Sequence, residues 1–285
     1  MNLNHAEIQA LISLLADEDT EVLKHVTTKL RELGEEGIPY LEQEWQASID
    51  SKLQARILNL IHEMQFELLQ ERLYTWKQLH QDDLLMALWL LNTYMYPSLE
   101  YHTLRQQIDV VFLEVSRNFE ANVHPYEIIK QLNYSFFEKL KFGPNKEDFH
   151  SENNSMLNKV LEAKKGNPIA LCSIYLLVTE RMKLPIYGVN FPNLFLLTFK
   201  KGEQQFYINA FNRGLILSKS DISNYLNTLN IQVNELFFEP CNNLDIACRI
   251  LRNLLSSFEA QGKTQQMEEV SLLMNILTSE AEDEI

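Results

Sequence analysis

The sequence predicts an α+β protein that is predominantly helical, with a helical N-terminal region, a mixed core holding a small antiparallel sheet, and a C-terminal helical hairpin. Three observations predict it. Apolar residues recur at helical spacing through residues 6–121. Three short runs rich in β-branched and aromatic residues then follow one another closely, "PIYGVNF", "NLFLLTFK" and "QQFYINAF". Helical spacing returns after residue 242.

In "EIQALISLL", Ile8, Leu11, Ile12 and Leu15 fall on one helix face. "DEDT" breaks the pattern and supplies Asp19 or Thr20 as the next cap. Val22, Val26, Leu30 and Leu33 form a second stripe, which Gly34 ends. A second unit starts at "GIPYLEQEW" and runs through Leu53, Ile57, Leu60, Ile61 and Met64. This helix, acidic turn, helix, glycine order resembles a HEAT repeat, so residues 1–72 are expected to be a HEAT-like helical region; an ordinary helical cap explains the same pattern. Residues 73–125 continue it: "DDLLMALWLLNTYMYP" is capped by Asp82 or Asp83, stopped by Pro97, and apolar nearly all round. Residues 126–240 are expected to form the α+β core, with a helix over 168–183 and a hairpin turn at Lys200–Gln204 around Gly202. Residues 241–285 are expected to give two helices joined at "AQGK" and an acidic tail.

The chain has 285 residues, 46% of them hydrophobic, so it can bury a large core. The N-terminus lacks a basic n-region, and no apolar run reaches membrane-spanning length. Three cysteines cannot build a disulfide framework, which points to a reducing cytoplasm. The net charge of −14 argues against nucleic acid or an anionic membrane surface as the main partner.

Candidate chemistry begins at "GNPIALCSIYLL". Asn167 is a good N-cap and Pro168 suits the first helical position. Cys172 follows one turn in, where a helix dipole can lower a thiol pKa. It sits between Leu171 and Ile174, which argues instead for a buried structural cysteine. None of the seven histidines lies after residue 150, so only His150 is placed to reach back to it. "QGKTQQ" lacks the first P-loop glycine and reads as a helix–helix turn. Cys241 and Cys248 lack further ligands for zinc, and "DEDTE" and "SEAEDEI" lack the calcium-loop pattern, so no metal or cofactor is expected. Lys164 and Lys165 read as a solvated helix end or as a contact for an acidic partner.

Leu132, Asn133, Phe137, Phe142 and Gly143 are followed by Asn154, Ser155, Leu157, Asn158, Val160 and Leu161. Gly166, Pro168, Ile169, Tyr175, Gly188, Val189, Pro192, Phe195, Ile208, Phe211 and Gly214 complete the series. In order and spacing these residues resemble the SirB-type branch of the transglutaminase-like superfamily, and the likeness extends over most of residues 70–270. The resemblance implies a papain-like core in which a helix packs on an antiparallel sheet. It also implies a Cys–His–Asp site, with the cysteine at the helix N-terminus and the other two on neighbouring strands. On this chain those positions fall on Pro168, Leu194 and Asn209, and all three chemical groups are absent.

The expectation is therefore a pseudoenzyme whose cleft is lined by Asn190, Asn193, Leu194 and Asn209, serving as a protein-interaction or regulatory module. Two alternatives stay open: a cysteine-dependent acyl transferase or peptidase with a rearranged site using Cys172, and a regulator that binds a small ligand.

Overall fold

The computed structural model describes residues 5–148 and 150–279. They divide into two compact units that part between Arg72 and Leu73.

The first unit holds α1 (His5–Ser13), α2 (Thr20–Arg31), α3 (Ile38–Ala47) and most of α4 (Ser51–Leu79). Asp19 caps α2, accepting from the Glu21 amide at 2.8 Å. Gly34 sits at φ +57°, the left-handed conformation that lets the chain turn after α2. The predicted stripes bury Ile8, Ile12, Leu15, Val26, Leu30, Leu53, Ile57, Leu60, Ile61 and Met64 in one cluster. Leu11, Val22 and Leu33 pack at its edge, half-buried.

The second unit begins within α4. Asp83 caps α5 (Leu84–Thr93), accepting from the Met86 amide at 2.8 Å. α6 (Tyr101–Ser116) and α7 (Pro125–Asn133) follow, and α7 passes directly into a π-helical turn over Tyr134–Lys139. α8 (Leu157–Ala163) and α9 (Pro168–Arg181) lead into strands β3 (Ile186–Phe191), β4 (Leu194–Lys201), β5 (Gln204–Asn209) and β6 (Leu215–Leu217), an antiparallel sheet in that order. α10 (Lys219–Thr228), α11 (Asn243–Gln261) and α12 (Thr264–Thr278) complete the unit. Gly262, at φ +68°, ends α11, so "QGKTQQ" is the predicted helix–helix turn. Most of the acidic stretch "SEAEDEI" lies outside the described residues.

Two features depart from the sequence expectations. β6 adds a fourth strand, only three residues long, too short for its alternation to register in the sequence. The two-residue strands β1 (Gly143–Pro144) and β2 (Lys165–Gly166) pair in parallel, where only antiparallel pairing was expected. The Gly143 amide donates to the Lys164 carbonyl, and the Asn145 amide to the Gly166 carbonyl. This clip ties the segment before α8 to the segment that opens α9.

The sheet has two different faces. Register pairs Asn190 with Phe195, Gly188 with Leu197 and Leu197 with Ile208, and these residues share the face on which α9 packs. The other face carries Val189, Phe191, Leu196 and Tyr207, which cluster with Ile222 and Leu226 of α10 and with Phe238.

Candidate functional site

The N-terminus of α9 is built from several of the motif residues. Asn167 accepts from the Ala170 amide at 3.0 Å and donates from Nδ2 to Ser155 Oγ at 2.7 Å. Its own amide donates to the Asn154 carbonyl at 3.1 Å. Asn154 Oδ1 accepts from Asn145, and its Nδ2 donates to the Asp148 carbonyl. At Gly166 a Cβ would lie 2.8 Å from Val160 Cγ1, so a side chain there would push α8 away from the clip. The "NS" and "GNP" motifs are thus the two halves of one cap.

A small cavity of about 150 Å³ opens at this first turn. Pro168, Asn193, Phe195, His150 and Asn167 line it, together with Arg249, Asn253, Ser256 and Ser257 of α11. Pro168 and Asn193 therefore meet at this cavity. Asn190 stands behind it, accepting from Arg249 Nη1 at 2.9 Å. Leu194 and Asn209 are not among the described lining residues, which narrows the cleft that the sequence suggested. The cause is the two-residue period of a strand. Leu194 joins the cluster of Val189, Phe191 and Tyr207, on the face away from α9. Asn209 alternates with Tyr207 onto that same face and caps the turn after β5, its side chain accepting from the Asn212 amide at 3.0 Å.

Cys172 lies deeper. It is fully buried beneath the first turn of α9, and its Sγ approaches the Phe195 carbonyl at 3.9 Å. Burial pushes the thiol well above the ordinary cysteine range; the Ala210 backbone hydrogen bond opposes this, and the Cys241 thiol adds to it. Burial also raises Cys241, to about 12. His150 lines the cavity mouth above Pro168, whereas Cys172 is not among the cavity's described lining residues. Lys164, φ +58°, caps α8, is half-buried and lays its ammonium 4.6 Å from the Phe142 ring centre, while Lys165 is exposed.

Sequence reasoning missed Arg249, Asn253, Ser256 and Ser257. They lie on the polar flank of an α11 stripe formed by Ala247, Ile250, Leu251 and Leu254, where a solvated face was the natural reading. Among the described residues, no group of His, Cys, Asp and Glu is arranged to hold a metal, and no helix is long and apolar enough to cross a membrane.

The chain matches the profile of the "Transglutaminase-like superfamily" over residues 102–252. It is 29% identical to F-box only protein 21 of Mus musculus over 147 residues, 49% of this chain and 23% of that protein. It is 30% identical to a UPF0162 protein of Xylella fastidiosa (strain 9a5c) over 173 residues, 57% of this chain and 60% of that one. It is 26% identical to Protein SirB1 of Salmonella typhimurium over 182 residues, 64% of each. The chain thus spans less than two thirds of the length of each of these relatives. No solved structure matches. With the helix-on-sheet core, the motif series from Leu132 to Gly214 and a profile that covers more than half its length, the chain belongs to the transglutaminase-like superfamily, as a SirB-type member.

Proposed function

We propose that this protein is a non-catalytic member of its superfamily that binds a segment of another polypeptide at the cavity before α9. One observation carries the reading. The position at which a nucleophile would gain from the helix dipole holds Pro168, and the nearest thiol, Cys172, is fully buried with its pKa raised. A proline has no proton to lose and no electron pair to offer an acyl carbon. In sequence order the positions matched to the superfamily's histidine and aspartate hold Leu194, which transfers no proton, and Asn209, which carries no charge; neither is among the described residues lining the cavity at Pro168. What remains is a small cavity of mixed lining that offers hydrogen-bonding groups and no thiol among its described lining residues. The net charge of −14 favours a protein partner over nucleic acid or an anionic membrane surface.

The test has two parts. The purified chain is incubated with a thioester, and with a glutamine peptide plus an amine donor. Turnover is expected to be no higher than for Cys172→Ala. Displayed random peptides are then selected on the parent protein and on Ser256→Trp, which fills the cavity; the expectation is a set of peptides that bind only the parent. Cys172-dependent turnover, or peptides that bind both proteins equally, would overturn the reading.

A further inference from the structure

Among the described residues lining the cavity, Arg249 is the only one of the types Lys, Arg, Asp and Glu. Its Nη1 donates to Asn190 Oδ1 at 2.9 Å and to the Phe191 carbonyl at 3.0 Å, both neutral acceptors. Among the described residues no carboxylate lies within ion-pair distance of its guanidinium. Glu152, close to His150 in the chain, already accepts from Gln261 and Lys263. A cation drawn part-way out of water is costly unless it is paired. Burial lowers the Arg249 pKa, and the charge that acts on it is the like charge of Arg252, which lowers it further. In a chain carrying 39 acidic residues against 25 basic ones, this half-buried cation nevertheless faces a cavity rather than an acid.

The rest of the lining suits an anion. Asn193, Asn253 and Ser256 can donate hydrogen bonds, whereas the Ser257 hydroxyl already donates to the Asn253 carbonyl at 3.0 Å, and the first turn of α9 adds its positive dipole end. The volume, about 150 Å³, is well below the ~300–1,000 Å³ of sites for drug-sized ligands. It admits one small oxyanion on a chain, and a planar carboxylate matches the remaining edge of a guanidinium whose Nη1 is already used.

We infer that the cavity between α9 and α11 receives the side-chain carboxylate of a glutamate or aspartate from a polypeptide partner, paired with Arg249. This rests on the protein-binding reading above and gives it a ligand chemistry.

The test is a titration of the isotope-labelled full chain, followed by amide NMR. The probes are a short blocked peptide with one central glutamate, its glutamine counterpart, and inorganic phosphate. The glutamate peptide should shift the Asn193, Asn253, Ser256 and Ser257 amides and bind at least tenfold more tightly than the glutamine peptide. Arg249→Gln removes two bonds to β3 and risks unfolding, so the deciding variant is Asn253→Asp. Residues 249 and 253 are one helical turn apart, so the new carboxylate supplies the missing counter-charge in place. It should abolish glutamate-peptide binding and raise the melting temperature by about 1–3 °C. Equal binding of the two peptides, tighter binding of phosphate than of the glutamate peptide, or an unchanged or lower melting temperature for Asn253→Asp would each overturn the inference. If cavity-dependent peptides emerge from display but none carries an acidic residue, the inference fails while the proposed function stands.

Discussion

Asn133 Nδ2 donates to the carbonyl of Gly214 at 2.8 Å, and a Cβ built on Gly214 would lie 2.1 Å from Asn133 Oδ1. The two residues come from the end of α7 and from the loop before β6, so one contact joins the helical part of the second unit to its sheet. Tyr175 of α9, buried against Phe136 with ring centres 4.5 Å apart, donates its hydroxyl to Asn133 Oδ1 at 3.3 Å. Gly214 also sits at φ +76°. Gly214→Ala meets both obstacles, a strained backbone and a displaced asparagine. It should cost about 2–4 kcal/mol. Asn133→Ala, which removes the polar partner and leaves the glycine free, should cost about 1–3 kcal/mol. Calorimetric unfolding of the three proteins checks both values; a Gly214→Ala protein as stable as its parent would show that the contact is loose in solution.

The α9 cap offers a second test. Asn167 serves the Ala170 amide with its oxygen and Ser155 Oγ with its nitrogen. Loss of an N-cap side chain costs about 0.5–2 kcal/mol, and the orphaned buried serine adds to that. Asn167→Ala should therefore cost about 2 kcal/mol. Adding Ser155→Ala should cost less than the sum of the single effects, because the serine has already lost its partner. Strict additivity in a denaturant-melt cycle would mean the two residues act independently.

These two clusters explain what could and could not be read in the sequence. Apolar periodicity located the helices because burial repeats every three or four residues, as Ile8, Ile12 and Leu15 do. The capping asparagine and the left-handed glycines declare themselves by residue type, and both Asn167 and Gly262 fall where their chemistry demands. The site was only half legible. Asn193 lies in the turn between β3 and β4 and reaches the α9 cavity, whereas Leu194, the first residue of β4, turns to the other sheet face. Arg249 lies on a helix whose apolar stripe gives no hint that its polar flank is covered. The parallel pairing of Gly143 with Lys165 depends on the path of the chain between them and on no local pattern.

Glu180 gives a pH-dependent prediction. It sits near the C-terminal end of α9, where a negative charge opposes the helix dipole. Burial raises its pKa above the ordinary 4.5, and the nearby charges of Asp83 and Asp82 raise it further. A carboxyl with a raised folded-state pKa binds its proton more tightly when folded, so it lowers stability as pH rises through that pKa. Below the unfolded value both states are protonated and the penalty is gone. Glu180→Gln should therefore melt higher than the parent at pH 7, and the two proteins should melt together below about pH 4. A Glu180→Gln protein that melts lower at pH 7 would mean the carboxylate has a stabilising partner.

The thiol of Cys172 separates a structural cysteine from a catalytic one. A working thiolate needs a polar or cationic neighbour to hold its pKa near neutrality. Cys172 is instead fully buried, its Sγ faces a carbonyl oxygen at 3.9 Å, and its pKa is raised. Iodoacetamide followed by peptide-resolved mass spectrometry should label half-buried Cys241 before Cys172 in the native protein, and all three cysteines rapidly in denaturant. Cys172→Ser should cost about 1–3 kcal/mol, because the added hydroxyl must be desolvated where the thiol was tolerated. It should leave peptide binding at the α9 cavity unchanged once the protein is assayed below its melting range. Native labelling of Cys172 faster than Cys241 at neutral pH, together with an acyl adduct on its sulfur after incubation with a thioester, would instead mark it as a nucleophile.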